Sequence, residues 1–74
     1  MTSSERVLVA AALANDGKGS TSEIASLLGV THNNVALNAS RLRAAGYIKA
    51  TRNDGVIAPT VAGLRKAVHI LGVS

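Results

Sequence analysis

Residues 20–31 read STSEIASLLGVT, and this stretch decides the fold. Ser20 followed by Glu23 fits a capping box, in which a hydroxyl and a carboxylate bond the free amides at a helix start. Behind this cap the apolar residues recur at helical spacing, at Ile24, Ala25 and Leu28. Gly29 can adopt the left-handed conformation that ends a helix. The stretch therefore predicts a short second helix closed by a tight turn.

A third helix is predicted directly after this turn. Thr31 is a residue type that caps helix starts, and the helix is expected from about His32 to Ala45. At 100° per residue its inward stripe consists of Val35, Asn38/Ala39, Leu42 and Gly46. Ala25 and Gly29 are small enough for two helices to approach closely, with Val30 packed beneath the turn.

A first helix is predicted before this pair. Residues 2–5 read TSSE and fit another capping box, so helix 1 is expected to start near Ser4. It should stop around Asn15-Asp16-Gly17, where glycine can close the C-terminus.

Beyond Gly46 the pattern predicts a hairpin and a last helix. Residues 47–52 alternate, Asn53-Asp54-Gly55 is typical of a hairpin turn, and Val56-Ile57-Ala58 follows. Thr60 can cap a fourth helix whose apolar stripe is Val61, Leu64, Val68 and Leu71. The order helix-helix-helix-strand-strand-helix predicts a mainly α fold with a small β-hairpin wing (α+β), as one domain over residues 1–74.

Composition narrows the function classes. The chain has 74 residues and no Cys, which excludes disulfide scaffolds, thiolate metal sites and cysteine nucleophiles. Its longest apolar stretch, residues 7–14, is far shorter than the roughly 20 residues of a membrane-spanning helix. Residues 41–74 carry six basic residues and one acidic residue, and so hold all of the positive excess behind the overall charge of +4. Such asymmetry favours a polyanionic partner, nucleic acid before an anionic membrane.

The stretch 20–31, together with Val35, Leu42 and residues 46–48 (GYI), resembles the helix-turn-helix core of winged-helix regulators, and most nearly MarR-type repressors. Residues 59–65 (PTVAGLR) are similar to the start of the helix that follows the wing in that group. The resemblance covers roughly residues 6–67. It implies that helix 3 enters a major groove and that the wing touches phosphate or the minor groove.

Projection of helix 3 turns Asn33, Ala36, Leu37, Ser40, Arg41 and Ala44 outward, with Asn34 and Arg43 on the flanks. Asn can read adenine and Arg can read guanine through two hydrogen bonds. The residues expected at double-stranded DNA are Thr31, His32, Asn33, Asn34, Leu37, Ser40, Arg41, Arg43, Lys49, Arg52 and Asn53. His32 and Ser40 are expected at phosphates, and Arg52 at the wing tip. The same face also fits a plain solvated helix surface.

A homodimer is expected through helices 1 and 4. Residues 7–14 are apolar nearly all round, and Ile70 and Val73 fall off the stripe of helix 4. The expected dimer residues are Val7, Val9, Leu13, Ile70 and Val73. The alternative is that the many alanines of helix 1 are simply exposed.

We expect no enzyme, metal site or cofactor, because the acidic residues and the two histidines lie in separate segments. The leading hypothesis is a sequence-specific DNA-binding transcriptional regulator, a repressor that acts as a homodimer in the cytoplasm at the nucleoid. One alternative is an architectural or partition-type DNA binder with low sequence preference. The other is a protein-interaction adaptor that docks a partner through Leu27 and Leu37.

Overall fold

The computed structural model describes residues 2–14, 19–49 and 56–72 of the chain. Four helices occupy most of these residues, and we number them in chain order. They are α1 (Ser3–Leu13), α2 (Thr21–Leu28), α3 (His32–Ala44) and α4 (Val61–Gly72). The expected end of helix 1 at Asn15-Asp16-Gly17 lies outside the described residues.

The predicted helix caps are confirmed. Thr2 and Glu5 form a complete capping box, so α1 begins at Ser3, one residue before the start expected near Ser4. Ser20 Oγ accepts a hydrogen bond from the Glu23 amide at 3.0 Å, and Thr31 Oγ1 accepts one from the Asn34 amide at 3.1 Å. Each bond satisfies an amide that has no partner inside its own helix, so local sequence defines these starts.

The turn between α2 and α3 depends on the left-handed backbone conformation of Gly29. Gly29 has φ +68°, the left-handed region that side chains disfavour, and the Val30 amide donates to the Ala25 carbonyl at 3.1 Å. The expected close packing at Gly29 is wrong, because no atom lies within 4 Å of where its Cβ would stand. Val30 is also partly exposed rather than packed beneath the turn.

The predicted β-hairpin wing is wrong, and with it the α+β class: the described residues contain four helices and no sheet. Two isolated antiparallel bridges join Ser20 to Val56 and Ile48 to Pro59. The Ile57 amide donates to the Gly19 carbonyl at 2.9 Å, so this segment is bonded to the residues before α2. Pro59 has no amide hydrogen to extend a ladder. The expected turn at Asn53-Asp54-Gly55 lies outside the described residues.

The core forms around α1, which packs against each of the other three helices. Its Val7, Leu8 and Ala11 are almost completely buried. The segments near the bridges contribute Ile48 and Ile57, each 2% exposed, to the core. These segments are therefore held by the burial of side chains and not by a ladder of β-sheet hydrogen bonds. None of the helices in the described ranges has the length and hydropathy to cross a bilayer.

The orientation of α4 is set by its small residues. Gly63 and Ala67 face inward, and a Cβ on Gly63 would overlap the carbonyl oxygen of Tyr47. Thr60 caps the helix, because its Oγ1 accepts from the Gly63 amide at 3.0 Å. Of the five large apolar residues of α4, Ile70 is half-buried and packs against the core, whereas the other four keep two fifths or more of their surface exposed: Val61, Leu64, Val68 and Leu71.

Candidate nucleic-acid interface

The outer face of α3 is the side that the other helices leave open. Its core side is buried and consists of Val35, Asn38, Ala39 and Leu42. The six residues projected outward are all exposed, as are both flanking residues: Asn33, Asn34, Ala36, Leu37, Ser40, Arg41, Arg43 and Ala44. The helix carries no acidic side chain. This outer face therefore combines amide, hydroxyl and guanidinium groups with one large apolar residue, Leu37.

A partly buried polar network connects this helix to α1. Asn38 is 2% exposed, and its Nδ2 donates to the Asn34 carbonyl at 2.9 Å and to Asn34 Oδ1 at 3.2 Å. Its Oδ1 accepts from Ser4 Oγ at 2.9 Å. The network fixes the Asn34 side chain and occupies one of its acceptor sites. The sequence placed Asn38 on the inward stripe without indicating these partners.

The two polar residues at the start of α3 are Thr31, whose side chain caps the helix, and His32, its first residue. Thr31 is exposed, and its hydroxyl oxygen accepts the capping bond from the Asn34 amide. His32 is exposed at the first position of the helix. A helix start presents amide groups and the positive end of the helix dipole, so both residues are placed where a phosphate is favourable.

Cationic side chains of neighbouring helices lie near both ends of α3. Arg41 lines a cavity of about 230 Å³ together with Tyr47 and Lys66. Arg6 of α1 lines a smaller depression with Asn34. Arg6 and Lys66 are absent from the interface residues expected from the sequence, because only the packing of α1 and α4 brings them close to α3.

One acidic group lies beside this cationic edge. Glu5 also lines the Arg41 cavity, and the hydrogen bond that the Thr2 amide donates to it holds the pKa of its carboxyl below the ordinary value. The carboxylate is therefore already used in the cap of α1, and it stays ionised at neutral pH.

The residues assigned to the wing are only partly described. Lys49 is exposed, and its amide donates to the Ala58 carbonyl at 2.8 Å. Arg52 and Asn53 lie outside the described residues. Because the hairpin is absent from the described part of the chain, Lys49 is the one residue of this group to which the structure assigns a position.

The residues assigned to a dimer face are not brought together. Val7 and Val9 are 1% and 8% exposed, so they belong to the core of the monomer and leave no surface for a second copy. Leu13 is 69% exposed, Ile70 is packed partly against the core, and Val73 lies outside the described residues. The expected interface must therefore be corrected, because α1 uses its valines to hold the other helices.

Leu27 and Leu37, the expected partner contacts, are both exposed but on different helices. Leu27 lines an apolar groove of about 380 Å³ between α1 and α2, together with Leu13 and Leu28. Leu37 stands in the middle of the outer face of α3. Within the described ranges, no three His, Asp or Glu side chains come close enough to hold a metal ion.

Comparisons of this chain with protein-family models, with curated proteins and with solved structures found no match. The helix-turn-helix resemblance of residues 20–48 therefore remains a prediction.

Proposed function

We propose that this chain binds double-stranded DNA by placing the outer face of α3 in the major groove. The observation that carries the proposal is the composition of that exposed face, which has amide, hydroxyl and guanidinium groups and no carboxylate. An α-helix with its side chains is about 10–12 Å wide, close to the roughly 12 Å width of the major groove. The positive excess of residues 41–74 supports the same ligand.

Asn33 and Arg41 are the proposed readers of base edges. Both are exposed, and each can make two hydrogen bonds to one base, Asn to adenine and Arg to guanine. Asn34 is less suited to this role, because its Oδ1 already accepts from Asn38. We therefore assign Asn34, with His32 and Ser40, to the DNA backbone.

Phosphate contacts on either side of α3 are assigned to Arg43, Arg6 and Lys66. Arg6 lies beside the first turn of the helix, and Lys66 lies beside Arg41 near its end. Such contacts fix the position of a protein on the duplex and make its affinity dependent on salt. They take the place of the wing contact in this proposal.

Occupation of the groove at a promoter would exclude other proteins from it. The chain is therefore proposed to act as a transcriptional regulator, in the simplest form a repressor, wherever cellular DNA is found. This step rests on the DNA contact, so the contact is the first thing to test.

The test is a fluorescence-anisotropy titration of labelled duplex DNA at two salt concentrations. Arg41→Ala should weaken binding about tenfold, in line with about 1–3 kcal/mol for a good base contact. The matched control is Arg65→Ala, which removes the same charge from α4 and should leave the affinity nearly unchanged. Parent protein that fails to bind duplex at low salt would refute the proposal, and equal losses in the two variants would refute the role of Arg41.

Leu37 favours a second candidate, a DNA binder with low sequence preference. It is 55% exposed in the middle of the face, where it can contact a thymine methyl group but cannot read a hydrogen-bonding pattern. In that case random and selected duplexes would bind alike, with the same steep dependence on salt. If DNA binding fails entirely, Leu37 instead supports the adaptor hypothesis, and Leu37→Asp should then abolish capture of a protein partner without unfolding the chain.

A further inference from the structure

Asn38 is a polar side chain that DNA cannot reach, because it is 2% exposed on the core side of α3. Both ends of its amide are nevertheless hydrogen-bonded. Nδ2 donates to the Asn34 carbonyl at 2.9 Å and to Asn34 Oδ1 at 3.2 Å, and Oδ1 accepts from Ser4 Oγ at 2.9 Å. The DNA contacts proposed above use neither Ser4 nor Asn38, although the two side chains join α1 to the exposed Asn34.

The partners of Asn38 fix the direction of each hydrogen bond in this network. A backbone carbonyl can only accept, so Asn38 must turn its Nδ2 to the Asn34 carbonyl. The other hydrogen of Nδ2 then points to the Asn34 side chain, which must turn its own Oδ1 inward. Asn34 is therefore held by its acceptor end. The two hydrogens of its Nδ2 have no partner among the residues that the structure describes.

Asn34 and Arg6 line one small depression at the start of α3. The other described residues that line it are Ser3, Leu28 and Val30, and none of the five is acidic. Its volume is about 50 Å³, against roughly 30 Å³ for one water molecule in the liquid, so it has room for phosphate oxygens but not for a base. Guanidinium and amide N–H groups are both donors, and a phosphate oxygen accepts from either.

We propose that Ser4 and Asn38 are positioning residues for DNA binding, which hold the donor end of Asn34 outward so that Asn34 and Arg6 bind the same backbone phosphate. A side chain that is already oriented loses less rotamer freedom on binding, and its contact is stronger for that reason. An asparagine that reads adenine must present its Oδ1 and its Nδ2 together, whereas one held by its Oδ1 is suited to an acceptor such as a phosphate oxygen.

This inference rests on the proposed function and deepens it, because it names the group of the duplex that Asn34 meets. The network joins α1 to α3, so one phosphate would be bound by residues of both helices. Such a contact fixes how α3 lies on the duplex, which is the part that phosphate contacts play in sequence reading by the other residues of the helix.

The first measurement needs no DNA and follows the Asn34 side chain by three-bond scalar couplings in NMR spectra. The parent should show a single χ1 rotamer, and Asn38→Ala should show an average over rotamers. Val35→Ala is the matched control, because Val35 is fully buried on the same helix and its truncation destabilises the fold without removing a hydrogen bond of the network. Asn34 should keep its rotamer in this control.

A second variant covers the case in which Asn38→Ala does not fold. Ser4→Ala removes only the bond from α1 and should also loosen the Asn34 rotamer, although the Ser4 hydroxyl is bonded to Asn38 and not to Asn34. The proposal is overturned if Asn34 is already mobile in the parent, or if its rotamer is unchanged in the variants that fold.

The second measurement is a titration of duplex DNA with a double-mutant cycle. Asn34→Ala should weaken binding about tenfold, the usual loss for a hydrogen bond to a charged group. Asn38→Ala should weaken it about threefold, because a freed Asn34 must be ordered on binding. In the Asn34→Ala background, Asn38→Ala should have no further effect. Arg6→Ala should lower the slope of log affinity against log salt by about one, whereas the uncharged Asn34 should leave this slope unchanged.

The outcomes separate this inference from the proposed function. A parent that binds no duplex refutes the proposed function, and the positioning role fails with it. A parent that binds duplex refutes this inference alone if the losses from Asn34→Ala and Asn38→Ala are additive, or if Asn34→Ala binds as well as the parent. The inference is also refuted if Val35→Ala weakens binding as much as Asn38→Ala, because the loss would then follow from stability and not from the orientation of Asn34.

Discussion

α3 and α4 have nearly the same length and the same type of cap, yet they are built in opposite ways. α3 has 13 residues behind Thr31, and α4 has 12 residues behind Thr60. α3 buries its large apolar residues Val35 and Leu42 and exposes polar ones. α4 fully buries only the small residues Gly63 and Ala67, packs Ile70 partly against the core, and exposes its other large apolar residues.

The difference lies in what each helix packs against. α3 meets side chains of α1 and α2, and large apolar residues fill the space between them. α4 approaches the backbone near Tyr47, and only a residue without a side chain fits there. A polar outer face is readily hydrated, whereas a row of large apolar side chains is not, so the two helices present chemically different surfaces to the solvent.

The largest expected effect tests the close contact between Gly63 of α4 and the backbone carbonyl of Tyr47. Gly63→Ala should lower the free energy of unfolding by about 3 kcal/mol, because overlap with the Tyr47 carbonyl outweighs the roughly 1 kcal/mol that alanine gains in helix propensity. Gly72→Ala is the control, since nothing lies within 4 Å of a Cβ at that position. Urea denaturation of both variants measures the difference. A Gly63→Ala protein as stable as the parent would mean that α4 is free to rotate, and the contrast between the helices would be lost.

The same contact explains what the sequence could predict for α4. Its apolar period identified the helix, but the stripe of Val61, Leu64, Val68 and Leu71 is exposed, and Ile70, which falls off that stripe, packs against the core. A period does not say which side of a helix faces inward. The burial of Val7 and Val9 has the same origin, because only the assembled helices show that α1 is enclosed. By contrast the caps and the left-handed Gly29 were predictable, since each depends on residues within one turn of the chain.

The hairpin failed for a related reason. Alternation over residues 47–52 fits a strand, yet in the described residues its pairing with the later segment is limited to one isolated bridge between Ile48 and Pro59. The bridge partner of Val56 is Ser20, which lies far earlier in the chain. Partner choice between distant segments leaves no local pattern to detect. The outer face of α3 was predicted well because its inward stripe is apolar at Val35 and Leu42, whereas Arg6 and Lys66 reach its edges only through tertiary packing.

The next effect concerns the one polar residue on the buried side of α3. Asn38→Ala should cost about 2 kcal/mol of stability, because it removes a side chain that is 2% exposed together with its partly buried hydrogen bonds to Ser4 and to the Asn34 carbonyl. Ser4→Ala removes one of those bonds and should cost less. Asn33→Ala, an exposed site on the same helix, should stay within about 0.5 kcal/mol of the parent. Thermal unfolding at neutral pH measures the stability of all three variants. An Asn38→Ala protein as stable as Asn33→Ala would show that the hydrogen bonds of Asn38 do not stabilise the packing of α3.

The smallest effect compares the two caps directly. Thr31 Oγ1 accepts one amide bond, whereas Thr60 Oγ1 accepts from the Gly63 amide and also donates to the Gly46 carbonyl at 2.7 Å. Thr31→Ala should cost about 1 kcal/mol, the usual loss for a helix cap, and Thr60→Ala about 1 kcal/mol more for the second bond. Serine at either position keeps the hydroxyl and should restore most of the loss. Equal losses at the two positions in urea denaturation would show that the Gly46 bond adds no stability beyond that of the cap itself.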